Sequence, residues 1–499
     1  MNTVKKFGIW LAITIPGSIL FCPVSLGQTI LTMEDAMNIA IKNSPDIIKS
    51  ELTMTISREN LNALEATTKS LIRFQFTPYN YIQDKAFDTQ SSSWVTTESK
   101  SITSDLSISQ PIKFSDGNIT LHNVFAYRDN TSDFLGVNSE FKGYSNDFFI
   151  AYSQPIFTYN RLKMELKRLR LSLENATLSY AIQRLFLEKQ VTQFFYMVYQ
   201  RKMAVDVARE ELKNQQVSME IIKSKVEGGL SAREEMAQIE LNLATSISNL
   251  QNAEVELANA KDNFCQYIGK PLNEEFEIEA NVEFTEVLVD VDKAIENGLN
   301  TRMELRQREI SLENSKDELT VAKSTNEFAG NVNLSMGLKG EDPAFNNIYV
   351  KPTRSPAFML TFNIPIWDWG ERKSKIKAAQ AGIRIEEINL ESERISVEVA
   401  IRQTFRSLQN LSTQMDLARQ NVKNAQFTYE INLERYKSGD LTSMDLGRYQ
   451  NQLSEKKMNL VNSLISYKIE LLNMKIQSLW DFENNSSFVP KEVQGNLRE

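Results

Sequence analysis

The stretch that decides the fold runs from Val191 to Val226 and reads VTQFFYMVYQRKMAVDVAREELKNQQVSMEIIKSKV. Apolar residues recur in it every seven positions: Val191, Val198, Val205, Leu212, Met219 and Val226. A seven-residue apolar period is typical of helices that pack in a coiled coil. Proline breaks helix interiors, and none occurs between Pro155 and Pro271. The sequence therefore predicts one very long helix from about Tyr159 to Val226.

The same heptad pattern returns 210 residues further along the chain. Pro155 and Pro365 are separated by the same 210 residues. The second series is Ile401, Leu408, Met415, Val422, Tyr429 and Tyr436. Residues between them fill the second line of a coiled-coil seam: Leu411, Ala418 and Ala425. We infer an internal duplication, with a second long helix from about Gly370 to Tyr436. At ~1.5 Å per residue, each long helix would span on the order of 100 Å.

Each long helix is expected to end in a tight turn and to be followed by a returning helix. The two turns are Gly228-Gly229-Leu230-Ser231 and Gly439-Asp440-Leu441-Thr442. Glycine commonly ends a helix, and the Ser or Thr that follows can cap the next one. An earlier match, of Asp35–Ile47 with Lys293–Leu305, has an offset of 258. The offset then falls to 210, so the first copy carries 48 additional residues, within roughly 71 to 145.

The segment before each long helix alternates in polarity, which predicts β-strands. In the second copy the apolar members are Val332, Leu334, Met336 and Leu338, then Phe358, Leu360, Phe362 and Ile364. Each run is close to the ~9–11 residues of a tilted membrane-spanning strand, and polar residues such as Asn333 and Asn363 would face a wet lumen. Trp367 and Trp369 follow at an expected interface. A half-buried strand of a soluble sheet has the same period, but two ~100 Å helices leave no room for a conventional core.

The first copy offers several strand candidates. They are Leu71–Phe76, Leu106–Phe114, Ile119–Tyr127 and the residues Phe148, Ile150 and Tyr152. A turn is expected at Ser115-Asp116-Gly117-Asn118. The alternation does not select which of these strands would cross a membrane.

The N-terminus is typical of an exported protein. Lys5-Lys6 precedes an apolar run from Phe7 to Phe21, and Ser25-Leu26-Gly27 offers small residues for cleavage. The run is shorter than the ~20 residues that a membrane-spanning helix needs. We therefore predict a signal peptide over residues 1–27. The alternative is a lipid anchor on Cys22, which requires a small residue where a phenylalanine precedes it.

Composition argues against several classes of function. A net charge of −8 and a pI near 5.3 disfavour nucleic acid as a partner. Beyond the signal peptide Cys265 is the only cysteine, so no disulfide within the chain is expected. His122 is the only histidine, and neither a nucleophile nor metal-ligand spacing accompanies it. We predict no catalytic residue, no cofactor site, no metal site and no enzymatic activity.

Taken together, these features resemble the TolC family of outer-membrane efflux proteins over nearly the whole mature chain. Leu31–Ala36 followed by Asn43–Asp46 is similar to that family's N-terminal helix. Gln154-Pro155-Ile156-Phe157 and Ile364-Pro365-Ile366-Trp367 resemble its strand-to-helix junctions, and the two glycine turns resemble its hairpin tips.

The resemblance implies an α+β membrane protein in the cell outer membrane of a Gram-negative bacterium, with a large periplasmic part. It implies a homotrimer in which each chain gives four strands to one 12-stranded transmembrane β-barrel. That barrel is continued by a long periplasmic α-helical barrel of coiled-coil hairpins. We divide the chain into a signal peptide (1–27), a first repeat (28–270), a linker (271–290), a second repeat (291–482) and a C-terminal tail (483–499).

The resemblance also implies a periplasmic gate near the second turn. Asp445 matches an acidic constriction position of the family, while Arg448 stands where a second acidic residue is expected. Aligning Leu230 with Leu441 makes Glu234 the first-copy equivalent of Asp445. Alternatively, these carboxylates are solvated charges in a helix's first turn, where the helix dipole favours them. The tips implied to contact an adaptor are Gly228, Gly229, Leu230, Ser231, Gly439, Asp440, Leu441 and Thr442.

The function implied is that of an outer-membrane exit duct of a tripartite efflux or type I secretion system. It would be a passive conduit, gated at the helix tips, with a periplasmic adaptor and an inner-membrane transporter as partners. The alternative is a periplasmic adaptor or coiled-coil scaffold, because heptads and export suit that class as well. An adaptor normally has one helical hairpin between compact β domains, whereas this chain has two.

Overall fold

The computed structural model describes residues 29–89, 92–134, 137–272, 274–279, 284–491 and 493. The predicted signal peptide, and Cys22 with it, lies outside these residues. The first half of the chain contains β1 (Thr29–Leu31), α1 (Met33–Asn43), α2 (Pro45–Thr67), β2 (Leu71–Asp88), β3 (Ser93–Ile112), β4 (Gly117–Phe134), β5 (Val137–Ile156), α3 (Arg161–Glu227) and α4 (Arg233–Ile268). The second half contains β6 (Phe276–Ile278), α5 (Val291–Thr301), α6 (Met303–Ser324), β7 (Ala329–Asp342), β8 (Thr353–Asn363), α7 (Glu371–Ser438), α8 (Ser443–Ser478), β9 (Trp480–Asp481) and β10 (Ser486–Ser487).

The two long helices and the two returning helices are confirmed. α3 has 67 residues and α7 has 68, so each spans about 100 Å. The first residues of equivalent helices are separated by the same two offsets that the sequence shows. α3 and α7, like α4 and α8, begin 210 residues apart, and α1 and α5 begin 258 residues apart. The periodicity therefore reflects a duplicated backbone as well as a duplicated sequence.

The heptad prediction holds along α7 but only for part of α3. In α7 five of the six heptad residues are buried, and Val422 is half-buried. In α3 the first three heptad residues are buried, whereas the last three are only half-buried: Leu212, Met219 and Val226. The buried residues in that part of α3 are instead Gln215, Ser218 and Ile222. A helix of 3.6 residues per turn drifts about 20° per heptad against a seven-residue repeat, so α3 turns its apolar stripe away from its partners.

The strands form one antiparallel sheet with the order β2-β3-β4-β5-β7-β8. The expectation of four strands per chain is therefore wrong, because the chain has six in this sheet. The physical reason lies in the additional residues of the first repeat, which fold as the hairpin β2–β3 beside β4 instead of forming loops. The predicted first-copy strands are all present but longer, at 18 to 20 residues each.

The segment predicted as a linker contains a short strand. β6 pairs in parallel with β1, so it connects the end of α4 to the start of the first repeat. At the other end of the chain, the small sheet of β9 and β10 places Val489 and Val493 against Leu171 and Leu178 of α3. None of the helices within the described ranges combines the length and apolar character that a bilayer-crossing helix requires.

Apolar side chains fill the space between helices in separate clusters along their length. The largest surrounds Phe195 of α3 and Phe264 of α4, whose rings meet edge to face at a centroid distance of 6.1 Å. Residues of α1, β1 and β6 complete this cluster. A row of small cores, each shared by neighbouring helices, suits an elongated molecule that cannot gather its apolar residues at one centre.

Removal of the Phe195 ring tests this packing. Phe195→Ala should lower the free energy of unfolding by about 3–5 kcal/mol, because it leaves a cavity in the largest cluster. Phe195→Leu retains much of the volume and should cost less. Denaturant unfolding, followed through the helical circular dichroism of the detergent-solubilised protein, measures both. Equal stability of the two variants and the parent protein would show that this cluster does not hold the helices together.

Candidate functional site

The six-stranded sheet has one predominantly apolar face. Side chains of directly paired residues lie on the same side of a sheet, so the pairing register defines each face. One row crosses all six strands and consists of Ile72, Ile108, Leu121, Ile150, Met336 and Pro356. A neighbouring row contains Tyr152, Leu334 and Phe358. In the single chain most of these residues are exposed, so no other element of the described ranges covers them.

The opposite face is largely polar. Its central row consists of Arg73, Ser107, His122, Phe149, Gly337 and Ser355. His122 Nδ1 lies 3.2 Å from Asp105 Oδ1, and the imidazole stacks on Phe149 at 4.8 Å. The single histidine is therefore part of a polar surface. Apolar residues on one side and charged or small polar ones on the other form the pattern of a sheet between lipid and water.

Aromatic side chains border the apolar face at both ends. A cluster at the end far from the long helices consists of Phe125, Tyr127, Tyr144, Phe345 and Tyr349. At the helical end Phe328 packs between Phe157 and Phe362, with centroid distances of 5.2 and 5.5 Å. Trp367 and Trp369 lie just beyond, both largely exposed, as the sequence predicted. Two aromatic belts with an apolar band between them are typical of membrane strands.

The strand ends are held at the starts of the long helices by carboxylates. Asp116, in the turn between β3 and β4, accepts hydrogen bonds from the backbone N–H groups of Arg161 and Leu162 at 3.2 and 3.3 Å. In the second repeat the Asp368 carboxylate accepts hydrogen bonds from the N–H groups of Gly370 and Arg372 at 2.9 and 3.0 Å. A carboxylate at a helix N-terminus is stabilised by the free N–H groups and the helix dipole. These contacts place the long helices directly below the sheet.

Both long helices end in the same glycine turn, but the equivalent glycines differ from those expected. Gly229 (φ +69°) and Gly439 (φ +91°) are left-handed, whereas Gly228 has a φ of −80°. The N–H of Leu230 donates to Lys225 O, and the N–H of Asp440 donates to Arg435 O, as in a Schellman motif. The structural offset at the tips is thus 210, so the alignment of Leu230 with Leu441, which has an offset of 211, is incorrect.

The same register corrects the proposed equivalent of Asp445. Asp445 is the third residue of α8, and the third residue of α4 is Glu235, not Glu234. Asp445 Oδ2 accepts a hydrogen bond from the Thr442 hydroxyl at 2.8 Å, and Glu235 Oε2 accepts one from Ser231 at 2.6 Å. Glu234 and Arg448 are exposed. Within one chain, Thr442 is the N-cap of α8, and Asp445 lies in the first turn with its carboxylate on the Thr442 hydroxyl.

The two tips touch each other. Lys225, in the last turn of α3, lies with Nζ 4.4 Å from the ring centroid of Tyr436 and donates a hydrogen bond to Tyr436 O. Leu230 and Met444 stand out from the tips and are 82% and 65% exposed. The structure thus brings the two predicted tips together at the end of the molecule opposite the sheet.

A polar seam between the two hairpins was not foreseen from the sequence. Gln200 Nε2 donates to Asn462 Oδ1 at 2.6 Å, and Lys457 Nζ donates to Glu210 at 2.7 Å. The remaining residues of the seam are Glu211, Gln215, Ser246, Gln450 and Ser454. Burial raises the pKa of the Glu211 carboxyl, and hydrogen bonds from Ser246 and Ser454 oppose the rise. The sequence signal that could have indicated this seam is the presence of the polar residues Gln215 and Ser218 within an apolar repeat.

By contrast, the contact within the second hairpin is apolar. The cluster that joins α7 to α8 near the tip consists of Ala425, Tyr429, Tyr436, Leu446 and Leu453. The second hairpin therefore has an apolar interior near its tip. The contact between α3 and α8 combines the polar seam with apolar packing, in which Ile476 of α8 lies against the cluster that contains Leu178 of α3.

An amphipathic sheet with two aromatic belts, continued by paired helices about 100 Å long, defines the class of outer-membrane channel proteins. Residues 294–475 match the family described as outer membrane efflux protein. The TolC outer membrane proteins of Salmonella enteritidis and of Escherichia coli K12 are each 22% identical to the chain, over 252 and 251 residues. Each match covers 49% of this chain and 50% of the relative, so the chain spans about half the length of these curated relatives.

Solved structures with the same fold cover most of the chain. The Campylobacter jejuni CmeC outer membrane channel superimposes with a TM-score of 0.67 at 14% identity, covering 93% of this chain and 88% of that one. The outer membrane protein VceC of Vibrio cholerae gives 0.66 at 12% identity, covering 91% and 96%. The predicted resemblance to the TolC family is thereby confirmed, and the relatives it matches are described as outer membrane proteins.

The facing of the strands can be tested with a matched pair of neighbours. Leu334→Arg places a charge on the apolar face and should cost about 2–4 kcal/mol if the residue lies near the bilayer midplane. Asn333→Arg places the same charge on the polar face and should be tolerated. The yield of folded protein in the outer membrane and its unfolding midpoint in lipid measure the difference. Equal tolerance at the two positions would refute the assignment of the faces.

The left-handed glycines at the tips give a second test. Gly229→Ala and Gly439→Ala should each destabilise the hairpin by about 1–2 kcal/mol, because a Cβ is strained at positive φ although space is free around both residues. Gly382→Ala is the control, since Gly382 lies within helix α7 with equally open surroundings and alanine favours helix there. Thermal unfolding and limited proteolysis at the tips report the effect. A Gly439→Ala protein as stable as the Gly382→Ala protein would contradict it.

Proposed function

We propose that the chain forms the outer-membrane exit duct of a tripartite efflux or type I secretion system. The observation that carries the proposal is the layout of a single chain: a sheet with a lipid-type face at one end and two hairpins of about 100 Å at the other. Such a chain reaches from the outer membrane far into the periplasm. The matches to outer membrane efflux proteins support the same function.

Assembly into a ring follows from the sheet. β2 and β8 are its two edges, and an open edge exposes unpaired N–H and C=O groups that hydrocarbon does not solvate. Copies of the chain must therefore supply each other's missing neighbours. We propose three copies, as the TolC resemblance implies, with their long helices forming a continuous periplasmic tunnel. The division into repeats at 28–270 and 291–482 belongs to the same proposal.

The tips are the proposed contact with a periplasmic adaptor and, through it, an inner-membrane transporter. They lie at the far end of both hairpins, and no other part of the described chain reaches so far from the sheet. Leu230 and Met444 expose apolar side chains there, which a partner protein would cover. A role as adaptor or free scaffold is disfavoured, because neither accounts for an apolar sheet face bordered by aromatic belts.

Gating is proposed to occur by movement of one hairpin against the other near the tips. The apolar interior of the second hairpin keeps its tip rigid, while the hydrogen bonds of the polar seam between α3 and α8 can exchange as the helices slide. This is a shear-type transition. Asp445 lies in the first turn of α8, next to the tip, where three copies would bring three carboxylates around the axis. A ring of carboxylates favours cations.

Fractionation and electrical recording together test the function. The mature protein should appear in the outer membrane as a three-copy particle and should conduct ions when reconstituted into a planar bilayer. Deletion of its gene should sensitise the host to exported compounds, and expression of the chain should restore resistance or secretion. Recovery of a soluble single chain without detergent, or an oligomer that never conducts, would overturn the proposal.

The gate residue can be tested separately from assembly. Asp445→Asn removes the charge but keeps an oxygen that can accept the Thr442 hydrogen bond, so the hairpin should fold normally. The substitution should reduce cation selectivity of the reconstituted channel. Asp440→Asn is the control, because it removes an equal charge from the same tip at an adaptor-contact position. If the reversal potential is unchanged by Asp445→Asn, Asp445 has only its local contact with Thr442 and is not the gate residue.

A further inference from the structure

The hairpin β2–β3 is a second, smaller duplication inside the first repeat. β3 ends with Gln110-Pro111-Ile112, and β5 ends with Gln154-Pro155-Ile156, 44 residues later. The two glutamines make the same contacts. Gln110 Nε2 donates to Thr68 O at 3.1 Å and to Pro111 O at 2.9 Å. Gln154 Nε2 donates to Ser115 O at 2.6 Å and to Pro155 O at 2.8 Å.

Each glutamine thereby joins the end of one hairpin to the residues that lead into it. Thr68 precedes β2, the first strand of the hairpin that Gln110 ends, and Ser115 precedes β4, the first strand of the hairpin that Gln154 ends. The hairpin β2–β3 is therefore built and anchored like β4–β5. A surface insertion without a place in the sheet would not need this anchor.

The additional hairpin also continues both faces of the sheet. Ile72 and Ile108 extend the apolar row of Leu121 and Ile150, and Arg73 and Ser107 extend the polar row of His122. The full registers of β2 with β3 and of β3 with β4 preserve this alternation near the helical end. Hence β2 and β3, like the other four strands, have one face suited to lipid and one face suited to water.

The two edges of the sheet are complementary to each other. Six strands that are each antiparallel to the next leave β2 and β8 running in opposite directions, so β8 of one copy can pair antiparallel with β2 of another. Both edges carry exposed apolar residues on the same face: Ile72, Phe74 and Phe76 on β2, and Phe358, Leu360 and Phe362 on β8. Pairing them would make the apolar band continuous from one copy to the next.

We propose that three copies of this chain close an 18-stranded barrel through β2–β8 seams, and that the duplicated hairpin widens the pore at the outer membrane. The partner that covers each edge is thus a second copy of the chain. Barrel diameter grows roughly linearly with strand number, so the pore would be about one and a half times as wide as that of 12 strands. Barrels of 16–18 strands leave an aqueous channel, so the membrane end would not limit the size of exported solutes.

Disulfide crosslinking locates the seam. In a background with the buried Cys265 replaced by serine, Phe74→Cys on β2 is combined in turn with cysteine at Phe358, Leu360 or Phe362 of β8. At least one pair should give covalently linked copies on oxidation. The matched control is Leu121→Cys on β4 with the same β8 positions, because β4 would be the edge strand of a 12-stranded barrel. Crosslinking from β4, or from neither strand, would overturn the proposal.

Deletion of the hairpin gives an independent measurement. Removal of residues 71–114 joins α2 to the turn before β4 and leaves four strands, with the glutamine anchor of β4–β5 intact. Electron microscopy of the full-length particle should show 18 strands, and the deleted particle should have a barrel narrower by about a third. A full-length three-copy channel with 12 strands and the hairpin outside the wall would overturn this inference alone. Absence of any outer-membrane oligomer would instead count against the proposed function on which the inference rests.

Discussion

The constraint on which the rest of this structure depends is the hydrogen bonding of the two free sheet edges. In hydrocarbon, a backbone N–H or C=O group without a partner costs several kcal/mol, and an edge strand exposes a row of them. No element of the described chain covers β2 or β8. The sheet can therefore be stable in lipid only as one segment of a larger closed barrel. The even number of strands lets identical segments join with antiparallel pairing throughout, so no special closing strand is needed.

The helical half follows from a different balance. Helices of 67 and 68 residues cannot share one central core, so the chain distributes its apolar contacts in clusters along the helix axes. Within the second hairpin, near its tip, these contacts are apolar, which favours a rigid unit. Between α3 and α8 they include hydrogen bonds and an ion pair, each of modest net worth because water can replace either partner. The same fold thus combines stiff hairpins with an interface that can change.

The junction between the halves shows how the duplicated chain was adapted. Asp116 and Asp368 both accept hydrogen bonds from backbone N–H groups at the starts of α3 and α7. Asp116 lies in a turn between strands, whereas Asp368 lies in the connection that leads into α7 itself. Gln110 of β3 and Gln154 of β5 make equivalent contacts within the first repeat, so they mark a duplication shorter than that of the two repeats. Growth by copying whole hairpins preserves the alternation of faces, because a hairpin adds two strands and leaves the direction of both edges unchanged. Addition of a single strand would not.

The sequence by itself determined the elements whose signal is periodic. Heptads, proline spacing and glycine turns gave the long helices to within a few residues, and the alternation of β7 and β8 gave their faces. The tips were predicted, but their register was misread by one residue because Gly228 and Gly229 are adjacent and only backbone conformation separates them. The strand number, the continuation of one face across all six strands and the polar seam between hairpins were decided by tertiary structure alone. They depend on pairing between segments far apart in the chain, and a local period carries no information about which strand lies beside which.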